Sequence, residues 1–224
     1  MTDSKPDPEA AFTEAADERG VVARKRPKPG ERRIQILQML ASMLEQPGAE
    51  RITTAVLAAR LEVSEAALYR HFASKAQMFE GLIDFIEQSV FSLINQIMDR
   101  PTPANEPLSG QYQASKVIVM VVQFAEKNPG MTRVMVGDAL VFENERLQQR
   151  MNQFFDKIES SLKQCLRDAA QQNHSATPSV EAQIRASVLS AFLVGRLQRF
   201  ARSGFKRLPS EHLEASLALL FATP

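Results

Sequence analysis

From Glu31 onward the apolar residues recur at steps of three and four, and this helical period constrains the fold more than any other feature of the chain. Ile34, Leu37, Leu40, Ala41 and Leu44 line one face of a first helix, which Pro47-Gly48 stops. Thr53 is placed to cap a short second helix carrying Val56, Leu57 and Ala58. Only Leu61, Glu62 and Val63 then intervene before Ser64, which caps a third helix of barely two turns, Ser64 to His71. Ala73-Ser74-Lys75 interrupts and restarts the chain, with Ser74 and Gln77 spaced as a capping box. A long fourth helix buries Phe79, Leu82, Ile83, Ile86, Val90, Leu93 and Ile97, and a Pro-rich stretch from Arg100 to Gly110 ends it. By propensity alone Val117 to Val122 favours a strand. No alternating run with hairpin turns exists to pair with it, so residues 111–128 read as a helix buried on most sides and stopped by Pro129-Gly130. Helices from about Met131, from Asn144 to Gln172, from Pro178 to Ser203 and after Ser210 complete an all-α chain of about nine helices without an internal repeat.

Residues 1–30 lack apolar periodicity and are rich in Pro, Ala and charge, so they read as a disordered tail. The following segment, 31–77, holds the three short helices, and 78–224 the longer ones. The net charge of +1 conceals an uneven distribution: −4 over residues 1–20, +5 over 21–78 and 0 over 79–224. That concentration of positive charge is the footprint of a nucleic-acid module joined to a neutral body, and a solvated basic linker would share it. Arg24, Lys25, Arg26 and Lys28 run into Arg32 and Arg33 as a basic arm just ahead of the first helix. It reads either as a solvated leader or as an arm touching phosphates or the minor groove, and its position favours the second. The longest aliphatic run, Val117 to Val122, is too short to span a bilayer, and the first residues carry no signal-peptide pattern, so a cytoplasmic protein is expected.

Catalytic chemistry finds little support. His71, His174 and His212 are far apart, there is no Gly-rich phosphate loop and no nucleophile elbow, so neither a metal nor another cofactor is expected and an enzyme is disfavoured. Cys165, alone in the chain, keeps helical company with Leu162, Leu166 and Ala169 and reads as a core residue.

Two short helices joined by a three-residue turn and braced by a preceding helix are the parts of a helix-turn-helix, whose second helix offers side chains to the major groove. In Ser64-Glu65-Ala66-Ala67-Leu68-Tyr69-Arg70-His71 the alanines permit close approach. Tyr69, Arg70 and His71 supply donors, and Leu68 and Phe72 pack inward. Thr53, Thr54, Ser64, Glu65, Ala66, Tyr69, Arg70, His71 and Lys75 are the candidate DNA-facing residues, with Lys75 expected on a phosphate.

These residues also carry a resemblance. Ile52-Thr53-Thr54, Leu57-Ala58, Val63-Ser64, Leu68-Tyr69-Arg70-His71-Phe72, Ser74-Lys75 and Met78-Phe79 resemble the N-terminal domain of TetR-type regulators. Over most of residues 31–208, through LIDFIEQS, EKNPGMTRVMVGDALVFENERLQQRMNQFF and RSGFK, the chain is similar to the nucleoid-occlusion branch of that family. The acidic leader, the Pro-rich stretch around Pro101 to Gly110, and Glu62 in place of a common glycine depart from the pattern. The resemblance implies a TetR-like fold and a homodimer joined through the last two long helices of each subunit. It further implies binding to palindromic chromosomal sites on double-stranded DNA in the nucleoid, and antagonism of the tubulin-like division GTPase FtsZ. It puts the FtsZ-tail groove between the fourth and fifth helices, where Phe85, Lys127 and Asn128 match.

Residue angles along the fourth helix independently set Phe85 off the buried stripe with Met78 beside it, a surface for a partner or for another helix of the same subunit. Val180, Ile184, Val188, Phe192 and Gly195, with Leu189, Leu193 and Leu197 on an adjoining face, give the 178–203 helix more apolar width than one covered side needs, as a dimer helix requires. The competing readings are a repressor released from DNA by a small ligand in its body, and a helical adaptor without DNA affinity.

Overall fold

In the computed structural model the described residues are 30–46, 52–99 and 109–222. The basic arm at 24–28, the Pro47-Gly48 stop and the Pro-rich stretch at 101–108 lie outside them. Among the described residues the chain forms nine α-helices and no strand: α1 (Glu31–Leu44), α2 (Thr54–Arg60), α3 (Glu65–Tyr69), α4 (Lys75–Met98), α5 (Ser109–Lys127), α6 (Pro129–Met135), α7 (Glu145–Gln172), α8 (Pro178–Arg202) and α9 (Leu213–Phe221). The Val117–Val122 run is helical, with Val117, Ile118, Val121 and Val122 fully buried in α5. Burial on most sides overrides their strand propensity. Pro129-Gly130 does more than stop α5: Pro129 is the first residue of α6, where its missing N–H removes no helical bond.

One hydrophobic cluster runs without interruption from Ile36 in α1 to Leu217 in α9, so the three N-terminal helices share their core with the body. α6 is the joint. A Cβ on Gly130 would sit 1.9 Å from the Ala41 carbonyl oxygen, so only glycine lets the start of α6 lie against α1. Two hydrogen bonds and a cation–ring contact hold α6 to its neighbours: the buried Thr132 hydroxyl donates to the Ala125 carbonyl (2.9 Å), Arg133 Nη1 donates to the Gln46 carbonyl (3.3 Å), and the Arg133 guanidinium lies 5.0 Å from the Phe205 ring centre.

α7 buries Leu147, Met151, Phe154, Ile158, Leu162, Cys165 and Leu166 along one stripe and packs along α8, to which residues 173–177 connect it. Burial first, and the Asp168 carboxylate second, push the Cys165 thiol up to about 11 from its ordinary 9.0. Because its folded value lies above its unfolded one, the thiol's contribution to stability is intact below pH 9 and falls as pH rises toward 11. Native protein at pH 8 should therefore resist iodoacetamide, whereas protein in denaturant should be alkylated on one cysteine within minutes, as intact mass would register.

Candidate nucleic-acid interface and partner surfaces

The helix-turn-helix is built by its caps. Thr53 Oγ1 accepts from the Val56 N–H (3.3 Å), Ser64 Oγ from Ala67 N–H (3.2 Å) and Ser74 Oγ from Gln77 N–H (3.2 Å), while Gln77 Oε1 accepts from the Ala73 N–H (2.8 Å). Between α2 and α3 the Val63 N–H donates to the Ala58 carbonyl (3.0 Å) and the Glu62 N–H to that of Ala59 (3.1 Å), a Schellman closure. Glu62 occupies its left-handed position at φ 54°. The turn is thus kept unaltered although the residue is not glycine, at a cost of about 1 kcal/mol. Glu62→Gly should raise the thermal midpoint by about 2–4 °C, measured by circular dichroism.

Leu68 and Phe72 face the core, leaving Ser64, Glu65, Ala66, Tyr69 and Arg70 exposed on the outer side of α3 with His71 half-buried at its end. Thr54 couples the two short helices: its hydroxyl donates to Glu65 Oε2 (2.6 Å) and accepts from the Tyr69 hydroxyl (3.4 Å). The structure adds a residue that the sequence hid among the basic arm. Arg33 donates from Nη1 to the His71 carbonyl (2.6 Å) and stacks 4.2 Å from the centre of the Phe72 ring, so α1 grips the C-terminal end of the recognition helix.

Lys75, expected on a phosphate, has an acidic partner within the subunit. Its Nζ pairs with Glu143, whose side chain is only 10% exposed, in the segment between α6 and α7. With the Lys75 side chain 30% exposed, the pair is screened by water and contributes about 1 kcal/mol. A single phosphate contact, at 0.9 powers of salt concentration, is worth about 1 kcal/mol at 0.1 M salt. The two are comparable, so the pair does not exclude the phosphate contact expected of Lys75, which remains a proposal. Lys75→Ala should lower the slope of log affinity against log salt by about 0.9 in fluorescence anisotropy; an unchanged slope would remove it from the phosphate contacts.

Phe85 is 47% exposed on α4. Its neighbours Asp84 and Glu87 both accept from Arg150 Nη2 of α7 (2.9 and 2.7 Å). Burial alone would lower the Arg150 guanidinium, but these two bonds carry it above its ordinary value. Lys127 is exposed at the end of α5, whereas Asn128 is half-buried and donates through Nδ2 to the Phe124 carbonyl (2.7 Å). Met78 is fully buried, contrary to its reading as a neighbour of Phe85 on the surface. Its side of α4 is covered within the subunit, where α1 packs along the helix and the segment carrying Glu143 reaches Lys75. Along the same helix Leu93 is exposed and Ile94 takes its place in the core.

On α8, Leu189, Leu193 and Leu197 are buried, while Val180, Ile184 and Val188, one turn apart, are 58%, 60% and 48% exposed. A Cβ on Gly195 would meet nothing within 4 Å. A mid-helix glycine costs about 1 kcal/mol against alanine, and no contact within this subunit accounts for it. Among the described residues no helix is long and apolar enough to cross a membrane, and no three His, Cys, Asp or Glu side chains converge as for a metal ion.

Residues 36–82 match the family described as bacterial regulatory proteins of the tetR family, and residues 112–223 match the tetracyclin repressor-like C-terminal domain of the SlmA-like type. The fold agrees with two solved regulators: FadR of Bacillus halodurans (TM-score 0.69, 13% identity, 88% of this chain and 97% of that one) and FadR of Bacillus subtilis solved with stearoyl-CoA (0.65, 14%, 84% and 97%). Fold and helix-turn-helix together define a TetR-type regulator. The nucleoid occlusion factor SlmA of Vibrio vulnificus is 50% identical over 196 residues, 87% of this chain and 96% of that protein, and the SlmA of Idiomarina loihiensis is 50% identical over 184 residues, 82% and 90%. The chain belongs to the SlmA family of nucleoid occlusion factors.

Proposed function

We propose that this protein is a nucleoid occlusion factor: a homodimer that binds two-fold chromosomal sites and, while bound, antagonises FtsZ assembly over the nucleoid. The observation that carries the reading is the 50% identity to SlmA over 87% of the chain, which spans the helix-turn-helix and the body alike. Ser64, Glu65, Ala66, Tyr69, Arg70 and His71 form the groove-facing surface, with Thr53 and Thr54 at its edge. Arg70 is the long cation on this surface, and Ala66 lets the helix lie close to the bases. The exposed stripe Val180, Ile184 and Val188 meets its symmetry mate, with Gly195 allowing the two α8 helices to approach. Such a dimer presents its two recognition helices one or more DNA turns apart, about 34 Å per turn. Phe85 and Lys127 receive the FtsZ tail, with the apolar ring contributing more than the exposed ammonium. The protein acts in the cytoplasm on the nucleoid. The test is genome-wide mapping of bound sites in a strain of origin. Many sites depleted near the replication terminus are expected, whereas a single site beside an adjacent operon would indicate a local repressor.

A further inference from the structure

The helix read as entering the major groove begins with an acid. Glu65 is the first residue of α3 and is exposed, and among the described residues no Lys or Arg pairs with it. A carboxylate brought against a polyanion opposes binding unless a donor on the nucleic acid meets it. Glu65 is also not free to swing away. The half-buried Thr54 of α2 donates its hydroxyl proton to Oε2 (2.6 Å), and the Tyr69 hydroxyl donates to Thr54 Oγ1 (3.4 Å).

Counting protons shows what these three side chains offer to a base. A hydroxyl has one proton to give, and an ionised carboxylate has none. The proton of Thr54 goes to Glu65 and that of Tyr69 goes to Thr54, so neither hydroxyl keeps a donor for the groove. The second carboxylate oxygen, Oε1, accepts from no described residue. The trio therefore presents acceptors alone. It suits a base amino group and repels a base carbonyl or ring nitrogen. In the major groove guanine shows O6 and N7, thymine shows O4, and adenine sets the acceptor N7 beside its N6 amino group. Cytosine alone carries a donor, N4, without an acceptor on its own edge.

We propose that Glu65 reads one cytosine in each half-site, with Oε1 accepting from the N4 amino group and Thr54 as the positioning residue that tethers the other oxygen. The inference rests on the reading of α3 as the groove-facing helix and adds which base its first residue selects. Much of the selectivity comes from rejection, because every other base turns a lone pair toward a fixed negative oxygen.

The test uses the full-length protein, its Glu65→Gln variant and its Thr54→Val variant, each put through selection from a duplex library of randomised sequence. Anisotropy then measures affinity for the selected duplex and for symmetric single-base replacements within it. Wild type should select cytosine at one position per half-site that Glu65→Gln changes, and thymine there should weaken binding about tenfold or more. Glu65→Gln should move the preference at that position from cytosine to adenine, whose N6 and N7 match an amide, and leave the other positions as they were. Thr54→Val should keep cytosine but discriminate less, since the carboxylate is no longer tethered; discrimination equal to wild type would overturn the tether. If Glu65→Gln selects the same base as wild type at every position, the carboxylate serves only the start of α3 and the cytosine contact is overturned. A loss of preference spread evenly over the site overturns it as well. Absence of any selected sequence for wild type would instead bring down the DNA-binding reading itself, so the two failures are told apart. Circular dichroism of each variant confirms that the helices are retained.

Discussion

Ile184→Asp should halve the sedimenting mass of the protein and weaken its binding to a two-fold DNA site by at least about 100-fold. Ile184 is 60% exposed in the middle of the α8 stripe, so the isolated subunit tolerates the carboxylate. In the dimer the substitution occurs on both copies and faces its own image across the two-fold axis. Two like charges are then buried without partners in an apolar seam, a penalty of several kcal/mol. A monomer grips one half-site only, and losing the second grip forfeits the effective-concentration gain of about 10²–10⁴. Circular dichroism separates this from unfolding, because the variant should retain its helices. If Ile184→Asp remains dimeric and binds DNA as before, the α8 stripe is not the interface.

Phe85→Asp should leave DNA affinity within twofold and reduce binding to FtsZ by about 30-fold or more, the scale of an aromatic hot spot of roughly 2 kcal/mol. The aromatic ring is half in water, so the change removes an anchor without opening a core cavity. Lys127→Ala, at an exposed edge, should cost less than about 1 kcal/mol and so under about fivefold. Anisotropy with labelled DNA and with a labelled FtsZ tail peptide measures both. Undiminished peptide binding by Phe85→Asp would remove the α4–α5 surface from the account.

What could be read from the chain alone was set by local chemistry. The capping hydroxyls of Thr53, Ser64 and Ser74 sit where short-range spacing put them, because an N-cap is decided within four residues. Cys165 was legible for a similar reason, its neighbours at helical spacing being core residues. Contacts between distant segments were not legible. Arg33 looked like one more cation of the arm, yet 38 positions separate it from the carbonyl it caps. Lys75 meets Glu143, an acid that nothing in the sequence marked as buried. Met78 failed because helix angles register one helix's own faces and not how many neighbours cover each turn.

The central claim is that the DNA-bound dimer acts on FtsZ, and pelleting of FtsZ polymers tests it most directly. FtsZ assembled with GTP is sedimented alone, with the protein, and with the protein plus a duplex carrying its selected two-fold site. The account predicts that polymer mass or bundling changes with the protein and changes further with the duplex, and that Phe85→Asp abolishes the effect. Polymer mass and bundling that stay constant in all three mixtures across stoichiometric ratios would contradict it.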